Sequence, residues 1–268
     1  MKLSVSLQIA KISKHQYYYK PKSTKQGLKP SLSSIYIDSD GIKKSISNSD
    51  IIALMQLIHQ DVDTDYGHRK MTTALKLKGY QINHKKVYRL MKEAQLLKEK
   101  HEKPSKMYVK YRKVFPKQPF EVLEMDIKFV WIEEFKMHAY ILTTIDTFTR
   151  ILLHRYTAYS IKKEDVKRAW EDIIINHLQP NNCLEKKIHI EVRNDNDSRF
   201  CAKMIQKFFE ENHINQVFTH PYTPQENGHI ESFHAILAKK LKPYRFWSLQ
   251  ELEQVLVKKK KKYNNERL

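Results

Sequence analysis

The segment from residue 120 to residue 220 constrains the fold more than any other part of the sequence. It begins with FEVLEMDIKFVWI, in which apolar and polar residues alternate as they do in a β-strand with one buried face. Two further apolar stretches follow, MHAYILTTID and RILLHRYTA, separated from each other only by TFT. Connections this short join antiparallel neighbours, so we predict a three-stranded antiparallel meander.

Helical and strand patterns alternate after the meander. A helical pattern in KKEDVKRAWEDIIINHL precedes a strand pattern in KIHIEVRND, and a second helical pattern in RFCAKMIQKFFEENH precedes the short strand NQVFTH. Strands that first form a meander and then alternate with helices predict a mixed sheet with helices packed on it. The predicted fold class is therefore α/β.

A smaller helical unit precedes this sheet, over residues 48–97. Its three helical patterns are DIIALMQLIHQD, GHRKMTTALKLKG and HKKVYRLMKEAQLL; Asn48 or Ser49 can cap the first, Gly79 closes the second and Asn83 can cap the third. The last helix carries basic residues opposite its apolar stripe: Lys85, Lys86, Arg89, Lys92. Such a unit is typical of a helix-turn-helix that binds in the DNA major groove, although a helical pair with a solvated charged face has the same pattern.

The net charge favours the DNA-binding interpretation. Lys and Arg number 49 against 30 Asp and Glu, which gives a formal charge of +19 and indicates a polyanionic partner. The sequence has no window of 18 uncharged apolar residues, and the apolar run at its N-terminus is too short for a signal peptide. We therefore expect a cytoplasmic, nucleoid-associated protein without a membrane segment. Cys183 and Cys201 lack the spacing of a zinc module and are expected to be free buried thiols.

A basic segment connects the helical unit to the sheet. From Lys98 to Lys117 the helical periodicity disappears, eight Lys or Arg stand against two Glu, and Pro104 and Pro116 interrupt any helix. Such a segment can follow a phosphate backbone, or it can act only as a solvated tether. The predicted segments are a basic N-terminal segment at 1–47, a helix-turn-helix domain at 48–97, the linker at 98–117 and a core domain at 118–268.

Three acids lie where side chains leave the predicted sheet. Asp126 lies in the first strand, Asp195 at the end of a later one, and Glu231 at the start of the helix that follows HPYTPQENG. Strand ends and helix starts can direct side chains toward a ligand, although an isolated acid is most often a plain surface residue. Three acids would repel DNA unless cations neutralised them, and carboxylate oxygens suit hard cations such as Mg²⁺ or Mn²⁺. Two such ions can stabilise the attacking and the leaving oxygen of a phosphoryl displacement.

Together these motifs resemble those of a known family. DYGHRKMTTALKLKGYQINHKKVYRLM, LEMDIKFVW, IDTFTR, RNDNDSRF, HPYTPQENGHIESFHAIL and YNNERL occur in the order found in the integrase-like transposases of bacterial insertion sequences, the second-reading-frame product of the frameshifting class. The resemblance covers nearly the whole chain. It implies an RNase H-like core, with a mixed five-stranded sheet flanked by helices, behind a small all-α helix-turn-helix domain. It also implies that LQIAKISKHQYYYKPKS is the last part of another helix-turn-helix and that the chain is truncated after Leu268.

The resemblance also implies roles for individual acids. Asp126, Asp195 and Glu231 match the three catalytic acids of DDE transposases, which hold two Mg²⁺ or Mn²⁺ ions. Asp146, in IDTFTR, matches the family's acid on the second strand, which usually has a structural role or supports the metal ligands from behind. The implied activity is metal-dependent DNA strand cleavage and strand transfer at the ends of the insertion sequence. The implied partners are DNA at the transposon ends and target and further copies of the chain; the product of the upstream frame is another candidate partner.

Two departures from the family pattern leave a second function open. Relatives commonly have Gly at the position of Asp197 and a basic residue at the position of Ala238, where the neighbouring Lys239 could contact DNA phosphate instead. The alternative is therefore a degenerate or truncated transposase that binds DNA without catalysis. A host RNase H-like nuclease would use the same metal chemistry, but it would not need the basic helical domain.

Overall fold

The computed structural model describes residues 3–19, 30–98, 114–186, 188–220 and 223–266. The chain divides into two units, Met1–Lys98 and Glu99–Leu268. The four segments predicted from the sequence stay a prediction, and residues 99–113 of the proposed linker lie outside the described residues. The last two residues of the YNNERL motif lie outside them as well.

Three helices form the core of the first unit. Its described elements are α1 (Leu3–Ile9), α2 (Lys14–Tyr18), β1 (Ser33–Ile37), β2 (Lys43–Ser47), α3 (Asn48–Gln60), α4 (His68–Leu77), β3 (Tyr80–Gln81) and α5 (His84–Glu93). Helices α3, α4 and α5 confirm the three helical patterns, and their apolar faces enclose buried residues: Ile51, Met55, Met71, Leu75, Val87, Leu90, Met91. Asn83 caps α5 as predicted. The cap of α3 is Ser47 rather than Asn48 or Ser49, because the Ser47 hydroxyl accepts the Asp50 N–H.

The described part of the first unit also contains a three-stranded sheet that the sequence pattern did not indicate. Strand β1 pairs antiparallel with both β2 and β3. The turn between β1 and β2 includes Gly41, at a φ of +79°, and the Asp38 carboxylate accepts the N–H groups of Asp40 and Ile42. In β1 the one buried residue is the polar Ser34, so the apolar alternation that reveals a strand is missing.

The described part of the second unit contains the five-stranded mixed sheet that was predicted. Its elements are β4 (Val122–Ile132), β5 (Met137–Asp146), β6 (Leu152–Ala158), α6 (Lys163–Ile173), β7 (Ile190–Asn194), α7 (Lys203–Glu211), β8 (Ile214–Phe218), α8 (Gly228–Leu241) and α9 (Leu249–Asn265). The strand order is β6-β5-β4-β7-β8. The first three strands form the antiparallel meander, β7 runs parallel to β4, and β8 runs parallel to β7. This RNase H-like arrangement confirms the predicted fold class.

Alternation along β4 divides its side chains between two cores. Met125 and Ile127 pack with apolar residues of α6 and α7 on one face of the sheet. Ile132 packs with residues of α8 and α9 on the other face. Successive side chains of a strand point to opposite faces, so Glu124 and Asp126 lie on the same face as Ile132. The first predicted catalytic acid therefore lies on the side of the sheet that α8 covers.

Two remaining observations concern the membrane and the cysteines. Within the described residues, no helix has both the length and the apolar character needed to cross a lipid bilayer. Cys183 and Cys201 are both free, as predicted, but Cys183 is buried whereas Cys201 is partly exposed.

Candidate active site

Asp126 lies in the middle of β4 and keeps some exposure to solvent. Its Oδ1 accepts the N–H of Ile127 at 2.8 Å, and its Oδ2 lies 3.1 Å from Nδ1 of His234 on α8. The side chain of Asp126 is 25% exposed. A carboxylate has about four lone-pair sites, so these two contacts leave room for further ligands.

Asp195 follows directly after β7, the strand that pairs parallel with β4. The β4–β7 register ends with the pair Glu124 and Arg193, and Asp126 and Asp195 each follow this pair by two residues. The pKa of Asp195 is raised, first by burial and then by the negative charge of Asp126, although the N–H of Asp197 lowers it. The two carboxylates are thus close enough to repel each other.

Glu231 lies on the first turn of α8 and is exposed. This helix begins against β4, because the Ile230 N–H donates to Glu124 Oε2 at 2.7 Å. One turn later His234 contacts Asp126, so the start of the helix is fixed beside the strand that carries Asp126. Even so, the described residues contain no group of three or more His, Cys, Asp or Glu side chains that could hold a metal ion. The structure places Glu231 on the adjoining helix without gathering the three acids into one cluster.

Glu124 is an acid of this region that the sequence analysis missed. It is fully buried and lies two residues before Asp126, on the same face of β4. Its carboxylate accepts the Ile230 N–H and lies 2.6 Å from Nδ1 of His229. Burial raises the pKa of Glu124 to about 7, against the opposing effects of the Ile230 N–H and of nearby Arg193. In the sequence Glu124 is one more polar residue of an alternating strand, so the pattern gives no sign of its burial.

His234 is the second residue that the sequence analysis missed. Its side chain is 9% exposed, and its two ring nitrogens contact different strands, with Nδ1 at Asp126 on β4 and Nε2 2.7 Å from Thr143 Oγ1 on β5. Its position in the sequence offered a signal. Residues three apart on a helix share a face, and His234 is three residues after Glu231.

Asp146 has the structural role expected of it. It is fully buried at the end of β5. Its Oδ1 accepts the N–H groups of Phe120 and Phe148, and its Oδ2 accepts the N–H and the hydroxyl of Thr149. These four bonds hold the turn after β5 and occupy the carboxylate.

The two departures from the family pattern have different surroundings. The Asp197 carboxylate accepts from Nε of Arg199 at 2.7 Å and from the Arg199 N–H at 2.9 Å. Arg199 lowers the pKa of Asp197, so this carboxylate is ionised and occupied by a protein cation. The Asp197 N–H also donates to Asp195 Oδ1 at 3.1 Å and so preserves the turn at Asp195. Ala238 and Lys239 are exposed on α8.

The basic residues predicted on α5 fall into two pairs. Lys85 and Lys92 are exposed. Lys86 Nζ donates to Ser31 Oγ at 2.9 Å, and Arg89 donates to the Ser31 carbonyl at 3.2 Å. Burial lowers the pKa of Lys86. The second pair is therefore partly occupied by the chain segment that leads into β1.

Comparisons with known proteins agree with this architecture. A family model described as an HTH-like domain matches residues 47–104, and two models described as integrase core domains match residues 116–224 and 212–268. The putative transposase InsK of insertion sequence element IS150 from Escherichia coli is 25% identical over 248 residues, which cover 88% of this chain and 84% of that protein. The chain belongs to the integrase-like transposases of insertion sequences. An uncharacterized protein of insertion element IS476 from Xanthomonas euvesicatoria is 25% identical over 74% of this transposase, and the match spans 55% of the relative's own length.

Solved structures of transposases and integrases are similar to part of this transposase. The catalytic domain of the Mos1 mariner transposase matches 52% of this chain and 69% of its own, with 10% identity and a TM-score of 0.45. The HTLV-2 integrase catalytic core domain in complex with magnesium matches 56% of this chain and 89% of its own, with 18% identity and a TM-score of 0.40.

The pair of acids at the centre of the transposase core suits a hard divalent cation. Both side chains offer carboxylate oxygens, the donors that Mg²⁺ prefers. Burial raises the pKa of Asp195 and the negative charge of Asp126 raises it further, and a cation held by both acids would relieve this repulsion. Glu231 would join such a site by turning toward the pair from the first turn of α8.

Proposed function

We propose that this transposase cleaves DNA at the ends of its insertion sequence and joins the freed 3′-hydroxyl to a second DNA. The observation that carries this proposal is the proximity of Asp126 and Asp195, which follow the paired residues Glu124 and Arg193 by two positions and interact electrostatically, while His234 attaches Asp126 to the helix of Glu231. A small group of acids in a chain of charge +19 is what a cation-dependent phosphate site requires.

In this proposal Asp126, Asp195 and Glu231 hold two Mg²⁺ or Mn²⁺ ions, which supply stabilisation of the attacking and the leaving oxygen when bound. The chain itself orients the ligands in advance. Asp126 is held by Ile127 N–H and by His234 on α8, and Asp195 is held by the N–H of Asp197. Metal ligands whose side chains are already ordered before the substrate arrives lose no further conformational freedom during the reaction.

We propose DNA as the partner of both units. In the proposed division, residues 48–97 bind the transposon ends, 98–117 connect the domains and 118–268 catalyse the reaction. The basic residues proposed to contact phosphate lie on α5 and in the last turn of α8: Lys85, Lys86, Arg89, Lys92, Lys239. Because two transposon ends have to be joined in one reaction, we further propose a homo-multimer assembled on DNA. The upstream-frame product remains a candidate partner.

A transposase that binds DNA without catalysis is the second candidate. It is favoured by Ala238, an exposed alanine where the family pattern has a basic residue. Asp197 gives this candidate less support, because Arg199 occupies its carboxylate.

The test is strand transfer, and its reversal on a branched DNA substrate, in Mg²⁺ and in Mn²⁺. The wild-type chain is compared with Glu231→Gln and with a matched control, Glu211→Gln, which changes an exposed acid that pairs with Lys207 on α7. We expect Glu231→Gln to lower the rate by about 1,000-fold and the control to leave it unchanged. Full activity of Glu231→Gln would refute the site. DNA binding without product from the wild-type chain would select the second candidate.

A further inference from the structure

His234 connects three elements of the core at one point. The residue lies on α8, one turn after Glu231, and its side chain is almost completely buried. Its Nδ1 lies 3.1 Å from Asp126 Oδ2 and its Nε2 lies 2.7 Å from Thr143 Oγ1. Asp126 and Thr143 are direct cross-strand partners in the β4–β5 register. A single imidazole thus fixes α8 against the strand pair at the position of the first candidate metal ligand.

The chemistry of the first contact assigns the proton on Nδ1. A carboxylate only accepts, so His234 must donate from Nδ1 to Asp126. Nε2 lies 2.7 Å from Thr143 Oγ1, and the Thr143 hydroxyl also lies 3.2 Å from the Asp126 carbonyl oxygen, to which it can donate. The contacts of the two ring nitrogens select one ring orientation. Since Oδ1 of Asp126 also accepts the Ile127 N–H at 2.8 Å, both oxygens of the carboxylate are held in place.

A second histidine on the same helix makes a comparable contact. Comparing the two histidines distinguishes attachment of α8 to the sheet from positioning of a metal ligand. His229 Nδ1 lies 2.6 Å from Glu124 Oε1, so α8 is bound to β4 through two histidine–acid pairs. The two acids differ in access to solvent, because the Glu124 side chain is 0% exposed and that of Asp126 is 25% exposed. Both pairs can hold the helix on the sheet, but only Asp126 is accessible to a cation from solvent.

We infer that His234 is a positioning residue for metal binding, which fixes the Asp126 carboxylate and holds it in register with the first turn of α8. The inference rests on the proposed function, in which Asp126 is a metal ligand. Residues that orient a metal-binding carboxylate or imidazole change metal affinity by about 10- to 100-fold when they are removed. His234 acts through Asp126 and does not itself touch the reacting atoms.

The test measures Mn²⁺ binding by the full chain from the electron paramagnetic resonance signal of the unbound ion. The variants are His234→Ala, His234→Asn, His229→Ala and Asp126→Asn. The relevant Mn²⁺ site is the one that Asp126→Asn abolishes. We expect His234→Ala to weaken the Mn²⁺ affinity of this site by about 10- to 100-fold. His234→Asn should restore most of this affinity, because its amide can donate to Asp126 from nearly the position of Nδ1. His229→Ala should change the affinity by less than about threefold, since it leaves Asp126 untouched.

Thermal unfolding of the same variants distinguishes positioning from attachment. If His234 only holds α8 on the sheet, His229→Ala and His234→Ala will weaken Mn²⁺ binding in proportion to the stability that each loses. That outcome, or equal Mn²⁺ affinity in His234→Ala and the wild-type chain, overturns the inference. Tighter Mn²⁺ binding in His234→Ala also overturns it, because the histidine would then compete with the ion. A wild-type chain that binds Mn²⁺ no better than Asp126→Asn overturns the proposed metal site itself.

Thr143→Val provides an independent test with a smaller structural change. The substitution keeps the side-chain shape and removes the hydroxyl that contacts both Nε2 of His234 and the Asp126 carbonyl oxygen. We expect a weaker Mn²⁺ affinity, between those of the wild-type chain and His234→Ala, and strand transfer that rises again at higher Mn²⁺ concentration. An unchanged KM for DNA in this variant supports an effect through the metal. A raised KM with unchanged Mn²⁺ affinity contradicts the inference.

Discussion

Asp146, at the end of β5, and Asp126, in the middle of β4, are both acids, but the surrounding protein occupies different numbers of their hydrogen-bond acceptor sites. Among the described residues, Asp146 accepts four hydrogen bonds and is fully buried. Asp126 has one backbone donor and one histidine, and it is 25% exposed. A carboxylate with about four acceptor sites is saturated in the first case and only half occupied in the second. The difference separates an acid that holds the fold from an acid that can bind a cation.

This comparison predicts opposite effects of the same substitution at the two positions. Asp126→Asn should lower strand transfer by about 1,000-fold and leave the melting temperature nearly unchanged, because it removes charge from a partly exposed site. Asp146→Asn should destabilise the protein by about 3 kcal/mol, because the new amide points a donor at other donors in a buried turn. Thermal unfolding and the branched-substrate assay measure both effects. A stable but inactive Asp146→Asn would contradict the distinction.

Glu124 extends the comparison, because it is as buried as Asp146 but its pKa is raised to about 7. In the unfolded chain a glutamate loses its proton near pH 4.5, whereas folded Glu124 keeps it until about pH 7. Between these values the folded state binds more protons, so the free energy of unfolding falls as the pH rises through this window. The rise in the pKa of Glu124 from 4.5 to about 7 corresponds to a loss of about 3 kcal/mol in the free energy of unfolding across this window, at about 1.4 kcal/mol per pH unit.

Glu124→Gln should therefore be more stable than the wild-type chain at pH 8, by up to about 3 kcal/mol, and similar to it at pH 5. The amide can still accept the Ile230 N–H and donate to His229. Urea unfolding at both pH values, in buffers without divalent cations, measures the difference. A stability difference that stays constant between pH 5 and pH 8 would show that Glu124 does not change its charge in this range.

The sequence predicted the elements of the core well, because its strands and helices have strong apolar periodicity. The alternation in β4 fixed which residues face α8, and it placed Asp126 on that face with Glu124. It could not show that the first acid remains accessible and the second is buried, since that depends on where α8 begins. The hairpin formed by β1 and β2 lacked apolar alternation altogether and was missed for that reason.

The site could be predicted only as far as the backbone determines it. The β4–β7 register pairs residues up to Glu124 and Arg193, two positions before Asp126 and Asp195, and the strand patterns already placed both acids where side chains leave the predicted sheet. The contact of His234 with Thr143 joins residues 91 positions apart in the sequence. No local pattern encodes such a contact, although the shared helix face of His234 and Glu231 was a usable signal.

The same distinction between occupied and exposed charges applies to the cations of α5 and gives the smallest of the expected effects. Lys85→Ala with Lys92→Ala removes two exposed charges, so we expect DNA affinity to fall by about tenfold and the slope of log K against log salt to decrease by about two. Lys86→Ala with Arg89→Ala should weaken binding less, because both side chains already donate to Ser31. Fluorescence anisotropy over a salt series compares the two double variants. Equal losses would mean that the segment at Ser31 is displaced when DNA binds and that all four cations reach phosphate.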